Sequence, residues 1–330
     1  MSTRRMRLTR RRFLDLTAGA LALVPGPRWA WAQTYPARPV LLSVGLAAGG
    51  GTDLVARLVA DWLSRRFGQP FVVENRTGMG GNLSIEKVLK SPPDGYTLLF
   101  AAPNTTIGAS LYKKLPFDFR RDSTPVAFVM RFPNVMVVSP SLPVQSVPEF
   151  ISYAKAYPGK LSYASSGHGT SLHLSGAMFS LLTGIEMTHV PYRGSHAAYP
   201  DLISGRVHVM FDNITIALSM ARSGKVRALA VTSPIRWDSV PELPAVGETV
   251  PGFEAMVWYG VIAPKGTAPD IILTLNSAIA EALRDPAFVA RLAETGGLPL
   301  SMTPQEFEKF IDDDIERWRN VVDFAGAWIE

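Results

Sequence analysis

Two segments of the chain combine glycine with small hydroxyl side chains, a combination suited to holding an anion. The first, residues 45–53, reads Gly-Leu-Ala-Ala-Gly-Gly-Gly-Thr-Asp, and the second, residues 163–173, reads Tyr-Ala-Ser-Ser-Gly-His-Gly-Thr-Ser-Leu-His. Each lies between a predicted strand and a predicted helix, where the first N–H groups of the helix have no helical acceptor and the helix dipole adds partial positive charge. Taken alone, the first segment fits an anion-binding loop and a tight turn with a capped helix equally well.

Lysine and arginine are absent around both loops. Neither residues 44–56 nor residues 161–180 contain one. An anion bound here would be held by backbone amides, hydroxyls and helix ends, whereas a doubly charged phosphate usually recruits a cation as well. The sequence therefore favours a carboxylate over a phosphate.

Three further segments are candidates to line the same site. They contain Asn104, Arg193 and Asp212, and each follows or ends a predicted strand. Arg193 could pair with a second carboxylate, and Asp212 could receive an amine. A solvated arginine and a helix-capping aspartate are equally good interpretations of the last two residues.

The sequence lacks the residue patterns of catalysis, metal binding and cofactor binding. It has no cysteine and no Gly-x-Ser-x-Gly motif for a nucleophile. His168 and His173 are five positions apart with no acid between them, unlike the His-Glu-x-x-His of zinc enzymes. The first loop has neither Walker nor dinucleotide-binding spacing. We therefore predict no catalytic residue, no metal and no cofactor, and a binding protein rather than an enzyme.

The loops belong to an alternation of strands and helices that is typical of a mainly parallel sheet covered on both faces. The predicted strands are residues 40–44, 71–74, 97–101, 135–139, 160–164, 186–190, 207–211, 226–232 and 256–263. The predicted helices are residues 53–67, 82–90, 147–156, 171–183, 196–204, 269–283, 286–294 and 303–325. The closing helices have no strands of their own to cover, so they must return to the first sheet. The chain would then cross between two lobes at residues 131–135 and 250–257, leaving a cleft between the lobes.

The amino terminus accounts for the basic charge of the chain. Residues 1–32 contain seven arginines and one acid, a net charge of +6. Removing this from the total of +5 leaves −1 for the remainder. The remainder therefore has no basic surface of the kind that binds nucleic acid.

Residues 1–32 are predicted to be an export signal. A basic stretch ending in Arg10-Arg11-Arg12-Phe13-Leu14 resembles the twin-arginine signal, and Ala30-Trp31-Ala32 is typical of a cleavage site. The apolar run between them, residues 16–24, is shorter than the roughly 20 residues that span a membrane. We therefore prefer cleavage after Ala32, and a periplasmic mature protein, to a membrane anchor.

Several groups of residues, in order along the chain, resemble one known family. They are Ala48-Gly49-Gly50-Gly51-Thr52-Asp53, Glu74-Asn75-Arg76 with Gly78 and Gly80-Gly81-Asn82, Pro93-Asp94-Gly95-Tyr96-Thr97-Leu98-Leu99, the pattern Tyr163, Ser165, Gly167, Gly169, Thr170, His173, then Val190-Pro191-Tyr192-Arg193-Gly194, Phe211-Asp212-Asn213, and Trp258-Tyr259-Gly260 with Ala263-Pro264. In these groups the chain resembles the substrate-binding proteins of tripartite tricarboxylate transporters, also called the Bug family, over about residues 35–322.

The resemblance implies a type II periplasmic-binding-protein fold, in which two α/β lobes joined by two crossing segments close on a small carboxylate. The expected lobes are residues 33–133 with 257–330, and residues 134–256. By matching position, the family's main-chain carboxylate site falls on Ala48, Gly49, Gly50, Ser165, Gly167, Gly169 and Thr170. Thr52, Asp53, Ser166 and His173 complete the candidate residues of the two loops.

The resemblance also implies the protein's role and partners. The ligand would be a mono- or dicarboxylate, an aromatic carboxylate or an amino acid, captured by a monomer and delivered to transporter membrane subunits. The alternative is a sensor that presents the ligand to a membrane histidine kinase. Gly45 and Leu46 stand where the family usually has proline and an aromatic residue, which indicates a roomier or more mobile cleft wall.

Overall fold

The structure is a computed structural model that describes residues 35–325, 328 and 329. The predicted export signal, residues 1–32, lies outside the described residues. From Arg38 onwards the chain forms a single unit. No helix in the described part of the chain combines the length and apolar character needed to cross a membrane.

The described residues form ten strands, which are β1 Val40–Val44, β2 Phe71–Asn75, β3 Thr97–Ala101, β4 Ser123–Val138, β5 Leu161–Ser165, β6 Met187–Pro191, β7 Val209–Asn213, β8 Arg227–Val231, β9 Met256–Pro264 and β10 Leu298–Pro299. They share one continuous hydrogen-bonded network in the order β2-β1-β3-β9-β4-β7-β5-β6, with β8 and β10 paired to β4. Pairing of β1 with β2 and β3 is parallel, as is pairing of β5 with β6 and β7.

Eleven helices connect and cover these strands within the described residues. They are α1 Gly51–Phe67, α2 Asn82–Leu89, α3 Pro103–Leu111, α4 Phe119–Asp122, α5 Val147–Ala156, α6 Ser171–Thr183, α7 Ser195–Ser204, α8 Ile214–Arg222, α9 Pro269–Ala282, α10 Pro286–Ala293 and α11 Pro304–Ala325. The predicted alternation of strands and helices and the predicted α/β fold class are confirmed.

The long strand β4 connects the two halves of the sheet. Its residues up to Pro133 pair with β9, and from Asn134 onwards they pair with β7. The second crossing runs beside the first, because Thr232 after β8 exchanges hydrogen bonds with Asn134 and accepts one from the Ala255 amide before β9. One threonine therefore joins both crossing segments.

Each half of the sheet has its own apolar core. Phe128, Trp258 and Phe307 lie in the first core, and Phe150, Phe179 and Phe211 lie in the second. Strand β1 is buried along almost its whole length, as expected for a parallel strand covered by helices on each side.

The closing helix α11 contacts both cores. Its first half contributes Phe307, Ile311 and Ile315 to the first core, while its second half contributes Trp318 and Val322 to the second. The helix thus spans the junction between the two halves. We propose the predicted lobe boundaries for most of the chain, with the end of α11 packed on the second lobe.

Several elements were not predicted from the sequence. They are α3, which begins at Pro103, the short helix α4, α8 at residues 214–222, the short strand β10, and the part of β4 that extends back to Ser123. Pro103 occupies the first turn of α3, where its missing N–H costs nothing. Burial on both faces gave this part of β4 no alternating pattern from which to predict a strand.

A buried carboxylate fixes α11 against the first half. Asp314 is 3% exposed, and its Oδ2 accepts hydrogen bonds from the Thr106 hydroxyl at 2.7 Å and from the Trp258 indole N–H at 2.9 Å. Burial raises the pKa of Asp314, although these hydrogen bonds act in the opposite direction. The carboxylate therefore joins α3, β9 and α11 at one point.

Asp314→Ala should lower the free energy of unfolding by about 1–3 kcal/mol, because the buried Trp258 N–H loses its acceptor. Asp313→Ala on the same helix is the matched control. Asp313 is exposed and pairs only with Lys309, so its loss should stay within about 0.5 kcal/mol. Urea unfolding followed by tryptophan fluorescence measures both, and equal stabilities of the two variants would contradict this assignment.

Candidate ligand-binding site

The two glycine-rich loops border one cavity. It has a volume of about 680 Å³ and is lined by parts of residues 45–52, 77–81, 102–104, 166–172 and 192–196, together with residues of β4, β9 and α8. The loops come from different halves of the sheet, yet both precede a helix and open on the same space. The two loops therefore face a common space, and the described residues leave that space empty.

The first loop uses some of its amides internally. The Gly49 N–H donates to the Asp53 carboxylate at 2.9 Å, and the Gly50 N–H donates to the Ala47 carbonyl at 3.4 Å. Helix α1 begins at Gly51, two residues earlier than predicted. The N–H groups of Gly51 and Thr52, in its first turn, have no acceptor among the described residues.

The second loop is arranged in the same way. The Gly167 N–H donates to the Ser165 hydroxyl at 3.1 Å, and the Gly169 N–H donates to His173 Nδ1 at 3.3 Å. Helix α6 begins at Ser171 after an N-cap at Thr170. Its first two amides, those of Ser171 and Leu172, have no acceptor in the part of the chain that the structure describes.

Both helices therefore begin at the cavity with unoccupied donors. Gly51, Thr52, Ser171 and Leu172 all line the cavity, and the dipoles of α1 and α6 place partial positive charge there. Three of these four residues, Gly51, Ser171 and Leu172, were missing from the candidate residues. Because the helix was predicted to begin at residue 53, Gly51 was assigned to the turn rather than to the first helical turn.

Asp53 supports the first loop from behind and does not line the cavity. Its side chain is 5% exposed, and it pairs with Arg57 one turn along α1. Burial alone would raise the pKa of Asp53, but hydrogen bonds from Arg57 and the Gly49 amide hold it below its usual value. The ionised carboxylate thus positions the loop backbone.

Two histidines, His173 and His189, perform the corresponding role behind the second loop. His173 accepts the Gly169 amide, His189 Nε2 lies 2.7 Å from the Ser165 hydroxyl, and their rings stack with centroids 4.0 Å apart. Burial and the neighbouring histidines lower the pKa of His173 to about 3, and burial with the nearby His168 lowers the pKa of His189 to about 4. Both rings are therefore neutral at pH 7 and can accept hydrogen bonds from the loop.

The ring nitrogens of His168, His173 and His189 lie within 4.8 Å of one another, the spacing of a possible metal site. However, the rings of His173 and His189 are nearly parallel, with 24° between their planes. A metal ion must lie near the plane of each imidazole that coordinates it, and one ion cannot lie in two stacked planes. This arrangement does not suit a shared metal ion, and the absence of a metal site stays a prediction.

Ser165 and His189 have the contact of a nucleophile and its base, but the hydroxyl is inaccessible. Ser165 is fully buried and does not border the cavity. Its oxygen also accepts the Gly167 amide and lies 3.2 Å from the Gly167 carbonyl. The pair fixes the loop conformation and has no contact with the space available to a ligand.

The three side chains expected beyond the loops take different positions. Asn104 borders the cavity and donates to the Gly80 carbonyl at 2.9 Å. Arg193 borders the cavity, is exposed, and forms no ion pair or side-chain hydrogen bond with any described residue. Asp212 is fully buried away from the cavity, where it accepts the Tyr199 hydroxyl at 2.7 Å.

The buried position of Asp212 does not fit the amine site that the sequence suggested. Burial raises the pKa of this carboxyl, against hydrogen bonds from Ser195, Tyr199 and the Asn213 amide. It holds α7 against the end of β7. The expectation that Asp212 receives a ligand amine is therefore wrong, since the carboxylate has no contact with the cavity.

Of the predicted site residues, nine border the cavity and five do not. Those at the cavity are Ala48, Gly49, Gly50, Thr52, Asn104, Ser166, Gly167, Thr170 and Arg193. Those behind it are Asp53, Ser165, Gly169, His173 and Asp212, whose polar groups bind the loops or the neighbouring helices.

A third glycine-rich segment, residues 78–81, also borders the cavity and packs against Gly45. A Cβ at Gly45 would lie 2.9 Å from Gly81 Cα, and one at Gly81 would lie 2.4 Å from Asn104 Nδ2. The absence of a side chain at Gly45 therefore creates no extra room, because the backbone of Gly81 occupies the space. The expectation of a roomier wall is wrong at this position, while the alternative of a more mobile wall stays a prediction. Leu46 lines the cavity itself.

The structure has two α/β halves, two segments that cross between them, and a cavity that both halves border. This arrangement defines a two-lobed solute-binding protein of the periplasmic type. Residues 55–326 match the family model described as "Tripartite tricarboxylate transporter family receptor". The chain belongs to this family, which includes the Bug proteins, so the family predicted from the sequence is confirmed.

Relatives and solved structures agree with this assignment. The chain is 40% identical over 299 residues to Protein BugT of Bordetella pertussis, covering 90% of this chain and 92% of the relative. It is similar to the structure of R. palustris Rpa4515 with adipate, with 39% identity, a TM-score of 0.83, and coverage of 88% of this chain and 98% of that one. It is also similar to MatC from Rhodopseudomonas palustris with bound malate, with 33% identity, a TM-score of 0.80, and coverage of 87% and 100%.

Neutral His189 should make the protein's stability depend on pH. The unfolded histidine titrates near 6.5 and the folded one near 4. As pH falls from 6.5 towards 4, the unfolded chain therefore takes up a proton that the folded chain does not, and the free energy of unfolding falls. His189→Gln should remove up to about 1.4 kcal/mol per pH unit of this slope.

Urea unfolding of both proteins at several pH values between 5 and 7 measures the difference. Comparing the two slopes cancels the contributions of other titrating groups, including Asp212 and Asp314. Parallel pH profiles for the two proteins would show that His189 is not held neutral.

Proposed function

We propose that this protein is a periplasmic receptor that captures a small carboxylate between its lobes for a tripartite tricarboxylate-type transporter. The observation that carries the proposal is the convergence of two helix N-termini on one cavity. Four amides without acceptors, those of Gly51, Thr52, Ser171 and Leu172, are available to hold carboxylate oxygens. The adipate and malate bound to the two similar structures are both carboxylates.

Main-chain recognition suits a binding protein that must also release its ligand. Amide hydrogen bonds hold the carboxylate without a fully paired, buried ion pair, whose desolvation is costly. The lobes supply one helix each, so a ligand that contacts both favours the state in which the lobes are together. We propose that this difference in contacts drives closure about the segments that join at Thr232.

The cavity offers binding but no chemistry. The proposed receptor holds its ligand by backbone amides, hydroxyls and Arg193, and the Ser165 hydroxyl that contacts His189 behind the second loop is buried. We infer that the protein releases its ligand unchanged. The route across the inner membrane and cleavage after Ala32 remain proposals based on the sequence of residues 1–32.

A thermal-shift assay with a carboxylate panel tests the function. The panel contains adipate, malate, succinate, benzoate and 3-phenylpropionate at millimolar concentration. A ligand at 100 times its dissociation constant should stabilise the protein by about 2.7 kcal/mol, a melting shift of roughly 5 °C for a chain of this size. No shift with any of these acids would contradict the proposal.

Gly50→Val locates the site in the same assay. Gly50 has φ of −79°, and a Cβ there would meet only the Ala47 carbonyl, at 3.3 Å. The variant should therefore fold but lose the ligand-induced shift, because its side chain enters the cavity. Ser277→Val, which adds similar bulk on the exposed face of α9, should retain the full shift.

Gly169→Val is not an equivalent test. Gly169 has φ of +74°, and its Cβ would lie 2.7 Å from the Leu111 side chain. This substitution would strain the loop itself, so any loss of binding would not identify a ligand contact. Normal binding by Gly50→Val would show that the ligand site lies elsewhere.

Arg193 separates dicarboxylates from monocarboxylates. Its guanidinium borders the cavity without a partner among the described residues, and is therefore available to a second carboxylate. Arg193→Gln should weaken adipate at least tenfold and hexanoate less than threefold, measured by isothermal titration calorimetry. Arg193→Lys should restore part of the adipate affinity, and an equal loss for both ligands would contradict the role of Arg193.

A further inference from the structure

The described side chains that line the cavity carry no negative charge. Among the described residues that border it there is no aspartate and no glutamate, while there is one arginine, Arg193, and two histidines, His168 and His196. The N-termini of α1 and α6 add partial positive charge. A ligand group that enters this space therefore meets positive or neutral groups on every side.

Three carboxylates close to the lining are engaged away from it. Asp53 pairs with Arg57, and Asp212 is fully buried against Tyr199. Asp201 accepts the hydroxyl of Tyr192 at 2.8 Å and pairs with the exposed Arg206. None of the three borders the cavity, so none provides a countercharge for a cationic group there.

The loop carbonyls offer a cation little more. The carbonyl oxygens of Ala47, Gly80 and Gly167 each already accept a hydrogen bond from a residue of the site. An ammonium ion needs several acceptors to replace its water, and an incompletely solvated ion is costly to bury. These three carbonyls therefore have fewer free lone pairs for a cation than an unoccupied carbonyl has.

Part of the cavity wall is aliphatic. Leu46, Leu172, Ile216 and Val257 line the cavity from both halves of the structure. Such side chains stabilise a hydrocarbon body and give no hydrogen bond to a charged substituent. The cavity therefore matches a molecule that is anionic at one end, or at both, and apolar between.

We propose that the cavity selects carboxylates that carry no ammonium group, and so excludes amino acids by charge. This inference rests on the carboxylate-binding function proposed above and narrows its ligand class. An α-ammonium group would lie beside the carboxylate, next to the positive helix ends and without a countercharge. The same carbon skeleton without the amine keeps every favourable contact and avoids this repulsion.

Matched pairs of ligands test the proposal directly. The pairs are adipate with 2-aminoadipate, succinate with aspartate, and 3-phenylpropionate with phenylalanine, each titrated calorimetrically at pH 7. In each pair that binds, the acid without the amine should bind at least tenfold more tightly. Equal affinity, or tighter binding of the amino acid, would overturn the charge selection while leaving carboxylate binding intact. If no compound of any pair binds, both the selection and the proposed function are wrong.

A charge substitution tests the cause of the selection. Ile216 lines the cavity on α8 and is half-buried. Ile216→Glu supplies the missing countercharge, so the affinity ratio within each binding pair should move towards the amino acid by at least threefold. Ile216→Gln is the neutral control of the same size and should leave the ratio unchanged. A ratio that moves equally in both variants would show that size, and not charge, decides between the two ligands.

Discussion

The proposed site depends on hydrogen-bond donors that the protein does not satisfy by itself. The first turn of any helix leaves N–H groups without helical acceptors, and folded proteins usually satisfy them with a cap or with water. Here α6 has one cap, from Thr170 to the His173 amide, and α1 has no side-chain cap. The amides that remain face a cavity between two lobes, which places the unsatisfied donors of both helices where an external anion can reach them.

The polar side chains around the loops make this arrangement rigid. Asp53 and His173, expected as ligand contacts, instead hold the backbone of Gly49 and Gly169. Each accepts a hydrogen bond from one glycine amide and thereby helps to fix the direction of the next amides along the chain. Charged and aromatic groups support the loops from behind, so the surface that meets the ligand can remain uncharged and accessible.

Much of the fold could be predicted from the sequence, because strand and helix patterns alternate clearly and breakers separate them. The family could also be predicted, since its motifs occur in order along most of the chain. Whether a loop residue lines the cavity or lies behind the loop could not be predicted in the same way. Asp53 and Thr52 are neighbours of similar size, yet one lies behind the loop and the other lines the cavity. That difference depends on the starting residue of α1, and boundaries are the least certain part of a sequence-based prediction.

The hydrogen-bond partner of a buried carboxylate could not be predicted from the sequence either. Asp212 ends a strand beside the cleft, where an amine site was a reasonable expectation, but its carboxylate accepts a hydrogen bond from Tyr199 in the preceding helix α7. Contacts between residues thirteen positions apart leave no pattern in the chain. Gly45 gives a third example, because its missing side chain is compensated by the backbone of Gly81, which arrives from a separate segment.

The most direct measurement is a crystal structure of the protein with adipate bound. The oxygens of one carboxylate should lie within about 2.7–3.2 Å of amide nitrogens from both helix starts, Gly51 or Thr52 and Ser171 or Leu172. A carboxylate bound only by side chains, or only by the loop of one lobe, with the opposite amides bound to water, would contradict the proposed mode of binding.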